Sequence, residues 1–286
     1  MKDGSLRRLA KAQVAARLRV FSANLRRASK APENPDVIHD LRVSIRRLTQ
    51  FLTTFASCFD QAAADKIHSR LRKLMDRCGE ARNQDIALEI LRRCGLENHP
   101  AARELLNRRK DAAKALDHHL KRWHKGEFSR RWKRKLKLLP DAAEIWNLEK
   151  PAASNAHRVL PGLVEELFAG GDQASDPEAS HAAIHQFRLQ VKRYRYAIET
   201  FESVYGSHAS RQLKYLRSLQ EILGRVSDCT TSLALVKGFP QATRAITGLL
   251  NAREAEFRAD WKTRYAKPAL RARWIRELSA PQRRTR

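Results

Sequence analysis

The residues best suited to bind a ligand occur in one short pattern that the chain contains twice. Residues 39–47 read HDLRVSIRR and residues 185–193 read HQFRLQVKR. Each copy places a histidine three residues before an arginine and ends in two adjacent cations, and the copies lie 146 residues apart (185 − 39 = 146). Guanidinium, ammonium and imidazole groups can all donate hydrogen bonds to phosphate and other anions. The repeated pattern therefore predicts two related anion-binding segments.

On a helix, each copy separates into a polar stripe and an apolar face, because successive residues are about 100° apart. The first stripe consists of His39, Arg42 and Arg46 with Arg47 to one side, and the second of His185, Arg188, Lys192, Arg195 and Tyr196 with Arg193 to one side. The apolar faces, predicted to be core, consist of Ile38, Leu41, Ile45, Leu48, Leu52 and Phe55, and of Phe187, Val191, Tyr194, Ile198 and Phe201.

A single stripe of charge is most often a solvated helix face. Such faces usually mix acids with cations four residues apart, because each pair stabilises the helix by a few tenths of a kcal/mol. Here the cations align with no acid among them before Glu199. Like charges at this spacing are mildly destabilising, so a bound anion would relieve the repulsion. Since both copies share the pattern, we interpret them as binding surfaces.

The segment after the first copy contains another cationic stripe. It consists of Lys66, Arg70, Lys73 and Arg77, spaced i, i+4, i+7 and i+11. The corresponding stripe after the second copy is thinner, since Lys214 and Arg225 share their face with Ser218 and Glu221. We therefore expect the stripe that begins at Lys66 to contribute more to binding, with Lys214 as the second-copy contact.

The overall charge also points to an anionic partner. The 286 residues include 57 Lys and Arg and 31 Asp and Glu, which gives a net charge of +26. The hydrophobic fraction of 42% argues against a disordered polycation. A compact protein with this much self-repulsion is best explained by a polyanionic partner. Nucleic acid, an anionic membrane surface and inorganic polyphosphate all fit, and composition alone does not choose among them.

The residues do not predict catalysis, a metal site or a cofactor. The four cysteines form no close metal-binding spacing and suit a reducing compartment. No P-loop, dinucleotide fingerprint or nucleophile motif is present. Neither His39 nor His185 has a second metal ligand on its stripe within one turn, and His118, His119 and His124 are interpreted as surface residues of a helix.

The N-terminal segment has no signal-peptide pattern, and no transmembrane run occurs, so we expect a cytoplasmic protein without membrane association.

The five tryptophans leave two interpretations open. Trp123, Trp132 and Trp146 lie in a cationic stretch, and Trp261 and Trp274 lie near the basic C-terminus. Interleaved basic and aromatic residues can stack the bases of single-stranded nucleic acid. Tryptophans of amphipathic helices can equally be core anchors.

The elements that carry these residues are predicted to be helices. Segments with apolar residues at i, i+3, i+4 and i+7 alternate with breaks, and no period-2 alternation occurs, so the fold class is all-α, a set of packed helical hairpins. The predicted breaks are residues 32–35, 95–100, 126, 140, 151, 161–162, 170–177, 206 and 238–240. Helices carrying the repeated pattern are predicted to begin at residues 34–36 and 175–178.

The likeness of the two halves extends past the repeated pattern. The offset of 146 continues to Phe55 and Phe201 (201 − 55 = 146), and Gly79 matches Gly224 at 145 (224 − 79 = 145). This indicates an internal duplication and predicts two pseudo-two-fold-related helical bundles. We predict one domain over residues 1–286, with an N-terminal half at about 5–170, a C-terminal half at about 176–278 and a basic tail at 279–286.

The two copies, with the segments CGEARNQD at residues 78–85 and LGRVSD at 223–228, resemble the CHAD family, the conserved histidine α-helical domain. The resemblance implies an all-α domain whose basic residues line a central surface or pore that binds inorganic polyphosphate without known catalysis. It assigns the core of that surface to His39, Arg42, Arg46, Arg47, His185, Arg188, Lys192 and Arg193. Asn83 departs from the family pattern, where Asp is usual, and is expected to weaken an ion pair to an arginine such as Arg47.

The sequence thus predicts a polyphosphate-binding protein, with a nucleic-acid-binding protein as the alternative on the same basic surface. Other polyanions and polyphosphate-metabolising proteins are further candidate partners. Polyphosphate granules are a candidate location.

Overall fold

The computed structural model describes residues 5–124, 128–139 and 145–279, and over these ranges the chain is all-α. The predicted breaks at Gly126 and Pro140, and all but Ser279 of the predicted tail, lie outside the described residues. The α-helices are α1 (Leu6–Lys30), α2 (Pro35–Thr54), α3 (Gln61–Arg93), α4 (Pro100–His124), α5 (Phe128–Lys135), α6 (Ala152–Ala174), α7 (His181–Thr200), α8 (Glu202–Tyr205), α9 (Ser207–Leu235), α10 (Pro240–Asp260) and α11 (Pro268–Ser279). A 3₁₀ turn (Ala56–Cys58) precedes α3, and a π-helix (Trp261–Tyr265) follows α10. None of the described helices is long and apolar enough to cross a membrane.

The two helices that carry the repeated pattern have side-chain caps. The Asn34 side chain accepts hydrogen bonds from the backbone of Asp36 and Val37, which confirms the predicted start of α2. The predicted start of α7 at residues 175–178 is wrong, because the Asp176 side chain accepts from the Glu178 backbone (2.8 Å) and closes a turn instead. Ser180 caps α7, so the helix begins at His181.

The bounds of successive elements repeat at one offset. Helices α2 and α7 both contain 20 residues and differ by 146 at each end (181 − 35 = 146, 200 − 54 = 146). The same offset relates the starts of α3 and α9 (207 − 61 = 146) and of the 3₁₀ turn and α8 (202 − 56 = 146). His39 and His185 are therefore both the fifth residue of their helix. The pseudo-two-fold relation between the two sets of helices stays a prediction.

The break predicted at 161–162 falls inside helix α6 and is wrong, and the break predicted at 170–177 begins too early, because α6 continues to Ala174. Pro161 lies inside the helix, and the glycines at 170 and 171 belong to its last turns. Gly171 is required by packing rather than by a turn, since a Cβ there would come within 2.1 Å of the Trp261 ring. The Trp261 indole also donates to the Asp172 carboxylate (2.9 Å). The connection between α6 and α7 is consequently only residues 175–180.

The helices divide into two compact units. Unit 1 takes in Met1–Leu9, Ala143–Ser227 and Leu249–Arg286, and unit 2 takes in Ala10–Ala142 and Asp228–Gly248. Helix α7 belongs to unit 1, and α2, α3, α4 and α5 belong to unit 2. The units therefore combine segments that are distant in sequence, and the predicted halves stay a prediction.

The cores of both units contain the predicted apolar faces. In α2 and α7 these residues are buried, apart from the half-buried Ile38 at the start of α2. All five tryptophans are also buried, the most exposed being Trp123 at 8%. The interpretation of these residues as core anchors is confirmed, and base stacking on exposed indoles is excluded.

Candidate functional site

Arg42 joins α2 to α3 within unit 2. Its Nη1 donates to the Cys78 carbonyl oxygen (2.9 Å), and a Cβ at Gly79 would approach the same nitrogen to 3.3 Å. Glycine at position 79 therefore allows the guanidinium to lie against the helix backbone. Arg42 is half-buried. It fixes the helix pair, and its remaining N–H groups can still bind an anion.

Three guanidinium groups concentrate positive charge at this point. Burial lowers the pKa of Arg42, and the charges of Arg46 and Arg82 lower it further, whereas Asp228 opposes the shift. The neighbouring Cys78 thiol adds no charge at neutral pH, because burial raises its pKa to about 12. One carboxylate thus faces three guanidinium groups, and an anion placed there would reduce their repulsion. Sequence reasoning did not assign Arg82 or Asp228; their only signal was membership of the two family-like segments.

The other members of the first stripe are more accessible. His39 and Arg47 are exposed, and Arg46 is half-exposed. Within the described part of the chain, none of the three pairs with a carboxylate. The expected ion pair near Asn83 does not involve Arg47, and the nearby Asp85 binds Arg109 of α4 instead.

The stripe on α3 is solvent-exposed along its length. Lys66, Arg70, Lys73 and Arg77 are all exposed. Arg77 pairs with Glu80 (3.1 Å), so it is partly neutralised. In the described ranges, Lys66 and Lys73 have no carboxylate partner. Because α3 follows α2 after a short connection and packs against it, the structure places both stripes on one helix pair.

The second stripe, on α7 in unit 1, is less open. His185 is exposed, and Arg188 and Lys192 are half-buried. Arg193 is exposed and pairs with Glu166 of α6 (2.9 Å). Lys214 on α9 is exposed. Of the unit 1 residues predicted to bind the anion, His185 on α7 and Lys214 on α9 are thus exposed and have no carboxylate partner among the described residues.

Two residues assigned to the second stripe are positioned differently from the prediction. Tyr196 is buried (8% exposed), so its placement on the exposed polar face is wrong. Arg195 is half-buried, pairs with Glu199 (2.9 Å), donates to Gln220 of α9 and lies over the Tyr196 ring (5.6 Å). The ideal helical wheel missed this because α7 is covered on two sides, by α6 and by α9. Arg195 and Tyr196 therefore stabilise packing within unit 1.

His119 of α4 belongs to a different group of side chains. His119 accepts a hydrogen bond from the Trp123 indole (2.9 Å). Burial lowers the pKa of His119, and the charges of Arg77 and Arg122 lower it further. Among the residues that the structure describes, no group of three His, Cys, Asp or Glu side chains is arranged to hold a metal ion.

Comparison of the chain with known proteins identifies its family. The CHAD domain model matches residues 12–237, which is well over half of the chain. The chain belongs to the CHAD family. A search of curated proteins finds no significant match.

Two solved structures share the CHAD fold of this chain. The crystal structure of the CHAD domain from the plant Ricinus communis is 24% identical, has a TM-score of 0.60 and covers 98% of this chain and 94% of its own. PptA from Streptomyces chartreusis is 17% identical, has a TM-score of 0.58 and covers 96% of this chain and 99% of its own. At these identities the likeness concerns the fold alone. It agrees with the all-α architecture of the described residues.

Proposed function

We propose that this CHAD protein binds inorganic polyphosphate and catalyses no reaction on it. The observation that carries the proposal is the cationic face of the α2–α3 pair. On it Arg46, Arg47, Lys66 and Lys73 lack carboxylate partners among the described residues, whereas some cations of α4, such as Arg108 and Lys121, are paired with carboxylates. Cations without carboxylate partners, spaced along two packed helices, suit an anion that carries many negative charges.

The members of this face have distinct tasks in the proposal. Arg42 is a positioning residue, because one of its N–H groups is bound to the Cys78 carbonyl. Arg46, Arg47, Lys66 and Lys73 contact phosphate directly, with Arg offering a fork of donors and Lys a mobile point charge. His39 donates one hydrogen bond from its ring. On α7, His185, Arg188 and Lys192 provide the corresponding contacts.

A charge-matched pair of variants tests the proposal. Arg46→Gln, Lys66→Gln and Lys73→Gln together remove three charges from the α2–α3 face. Arg103→Gln, Lys110→Gln and Lys114→Gln remove three exposed charges from α4. Titration calorimetry with long-chain polyphosphate should show at least about tenfold weaker binding for the first variant, since one charged hydrogen bond contributes roughly 1.5 kcal/mol.

The control should bind within a factor of about three of the unsubstituted protein, because only long-range attraction is removed. Equal losses in the two variants would contradict a defined site and leave a general charge effect. Phosphate release from polyphosphate by the purified protein would contradict the absence of catalysis.

Binding of this kind gives the protein a place at polyphosphate granules. Proteins that make or degrade polyphosphate are the partners that such a location would bring close. Nucleic acid is the less favoured ligand, because the indoles that could stack bases are buried.

A further inference from the structure

Helix α5 carries a dense group of cations that the repeated pattern does not include. It spans Phe128–Lys135, and its described side chains from 131 to 135 are four cations and one tryptophan. Arg131, Lys133, Arg134 and Lys135 are exposed, and Trp132 is buried. Cations in the last turn stabilise a helix through its dipole. That effect does not account for Arg131, which precedes the last turn.

The position of α5 is fixed by its tryptophan. An eight-residue helix is not stable alone in water. The Trp132 ring stacks on Phe21 of α1 (5.7 Å) and meets Trp123 of α4 edge-on (5.8 Å). The backbone after α5 is held as well, by a hydrogen bond from Leu139 to the Cys58 carbonyl (3.0 Å). The cations are therefore presented from an ordered support within unit 2.

Three of these cations line a cavity. Arg131, Arg134 and Lys135 line one side of an open surface depression of about 420 Å³. In the part of the chain that the structure describes, none of them pairs with a carboxylate. Arg131 lies three residues from Arg134 and four from Lys135, so their mutual repulsion disfavours the helix. A multiply charged anion in the cavity would remove that cost, and the volume is within the range of ligand sites.

We propose that α5 provides a second polyphosphate-binding site, carried by a different helix from the cationic stripes of α2, α3 and α7. This inference rests on the proposed function, because it assigns another contact to the same polyanion. A membrane surface suits the helix poorly, since binding there needs an exposed apolar face and the one apolar side chain among residues 131–135 is buried. Single-stranded nucleic acid suits it poorly for the same reason, as Trp132 offers no free ring face.

Two sites on one protein bind a long chain more tightly than a short one. A long polyphosphate that occupies one site reaches the other at high effective concentration, whereas triphosphate occupies one at a time. The α5 site should therefore contribute mainly to the affinity for long chains.

The test compares Arg131→Gln, Arg134→Gln and Lys135→Gln with the α4 control described above, Arg103→Gln, Lys110→Gln and Lys114→Gln. Both remove three positive charges. Calorimetry should show long-chain polyphosphate bound at least about tenfold more weakly by the α5 variant than by the control. For triphosphate, the remaining site should keep the same affinity in both variants, and only the number of bound molecules should be lower in the α5 variant. Tryptophan fluorescence, compared between the α5 variant and the control, reports whether the packing of the five tryptophans is kept, Trp132 among them. Glutamine is a good helix former and keeps a long polar side chain.

The outcomes separate the two proposals. If the unsubstituted protein does not bind polyphosphate, the proposed function fails. If it binds and the α5 variant matches the control with both ligands, the second site is wrong and the proposed function stands. If tryptophan fluorescence of the α5 variant differs from that of the control, the single variant Arg131→Gln, outside the last turn, is compared with Lys110→Gln, and equal long-chain affinities overturn the second site.

Discussion

A single arginine, Arg42, shows which features of a residue the repeated pattern predicts and which it does not. Its spacing from His39 predicted a phosphate contact, but its Nη1 is bound to the Cys78 carbonyl and its pKa is lowered by burial. Spacing identifies the exposed stripe, because the helix period is regular. It does not reveal that Gly79 on another helix leaves room for the guanidinium, since that depends on how two helices pack.

Two glycine substitutions separate this packing from helix propensity. Gly224→Ala on α9 should raise the free energy of unfolding by up to about 1 kcal/mol, because a Cβ there meets nothing within 4 Å. Gly79→Ala on α3 should have an unfolding free energy about 1 kcal/mol lower than that of Gly224→Ala, because the new Cβ displaces the Arg42–Cys78 hydrogen bond. Denaturant unfolding measures both. Equal stabilities would mean that Arg42 does not constrain residue 79.

His119 makes stability depend on pH in a defined direction. Its Nε2 accepts from the Trp123 indole, which requires the neutral ring, and burial lowers its pKa below the usual value of 6.5. A lowered folded-state pKa means that the unfolded state takes up the proton first. The stability that His119 contributes is therefore complete above pH 6.5 and is lost as the pH falls from there through the folded-state pKa.

His119→Gln tests this direction, because glutamine can accept the same bond without titrating. Between pH 7 and pH 5 the variant should lose less unfolding free energy than the unsubstituted protein, as followed by denaturant titration with tryptophan fluorescence. Arg77, Arg122, Glu80 and His118 also act on the His119 pKa and are the same in both proteins. A parallel decline in the two proteins would contradict a titrating His119.

Whole helices were more predictable than their ends. The apolar periodicity predicted α2 and α7 and their buried faces, and the 146-residue offset recurs in the observed bounds. The errors arose where proline and glycine were interpreted as breaks. In α6, Pro161 lies inside the helix and Gly171 leaves room for the Trp261 ring. The sequence alone does not show which residues pack against these positions. Tyr196 was assigned to the exposed face for the same reason: the helical period does not show which side of a helix its neighbours cover.

A pair of substitutions within α6 tests the role assigned to Gly171. Gly171→Ala should lower the unfolding free energy by about 1–3 kcal/mol, because the new Cβ overlaps the Trp261 ring. Gly162→Ala in the same helix should be neutral or stabilising by up to about 1 kcal/mol, since nothing lies within 4 Å. Thermal unfolding distinguishes them. Stabilisation by both substitutions would show that Gly171 is not packed as described.

The charge of the whole chain makes binding depend on salt. With a net charge of +26, any polyanion is attracted, and each neutralised phosphate releases counterions. The logarithm of affinity should fall linearly with the logarithm of salt concentration. Removing Arg46, Lys66 and Lys73 should reduce the slope by about 2, or roughly 0.7 per cation, if all three contact phosphate. An unchanged slope, measured by titration at several salt concentrations, would show that these residues are not contacts.

Net charge alone does not distinguish polyphosphate from nucleic acid, so competition is the decisive measurement. Labelled long-chain polyphosphate bound to the intact protein is challenged with triphosphate or single-stranded RNA at equal phosphate concentration. Neither competitor should displace the long chain, because triphosphate meets only a few of the cations without carboxylate partners and RNA finds no exposed indole on which to stack. Displacement by RNA at equal phosphate, or triphosphate competing as well as the long chain itself, would contradict polyphosphate binding as the function of this protein.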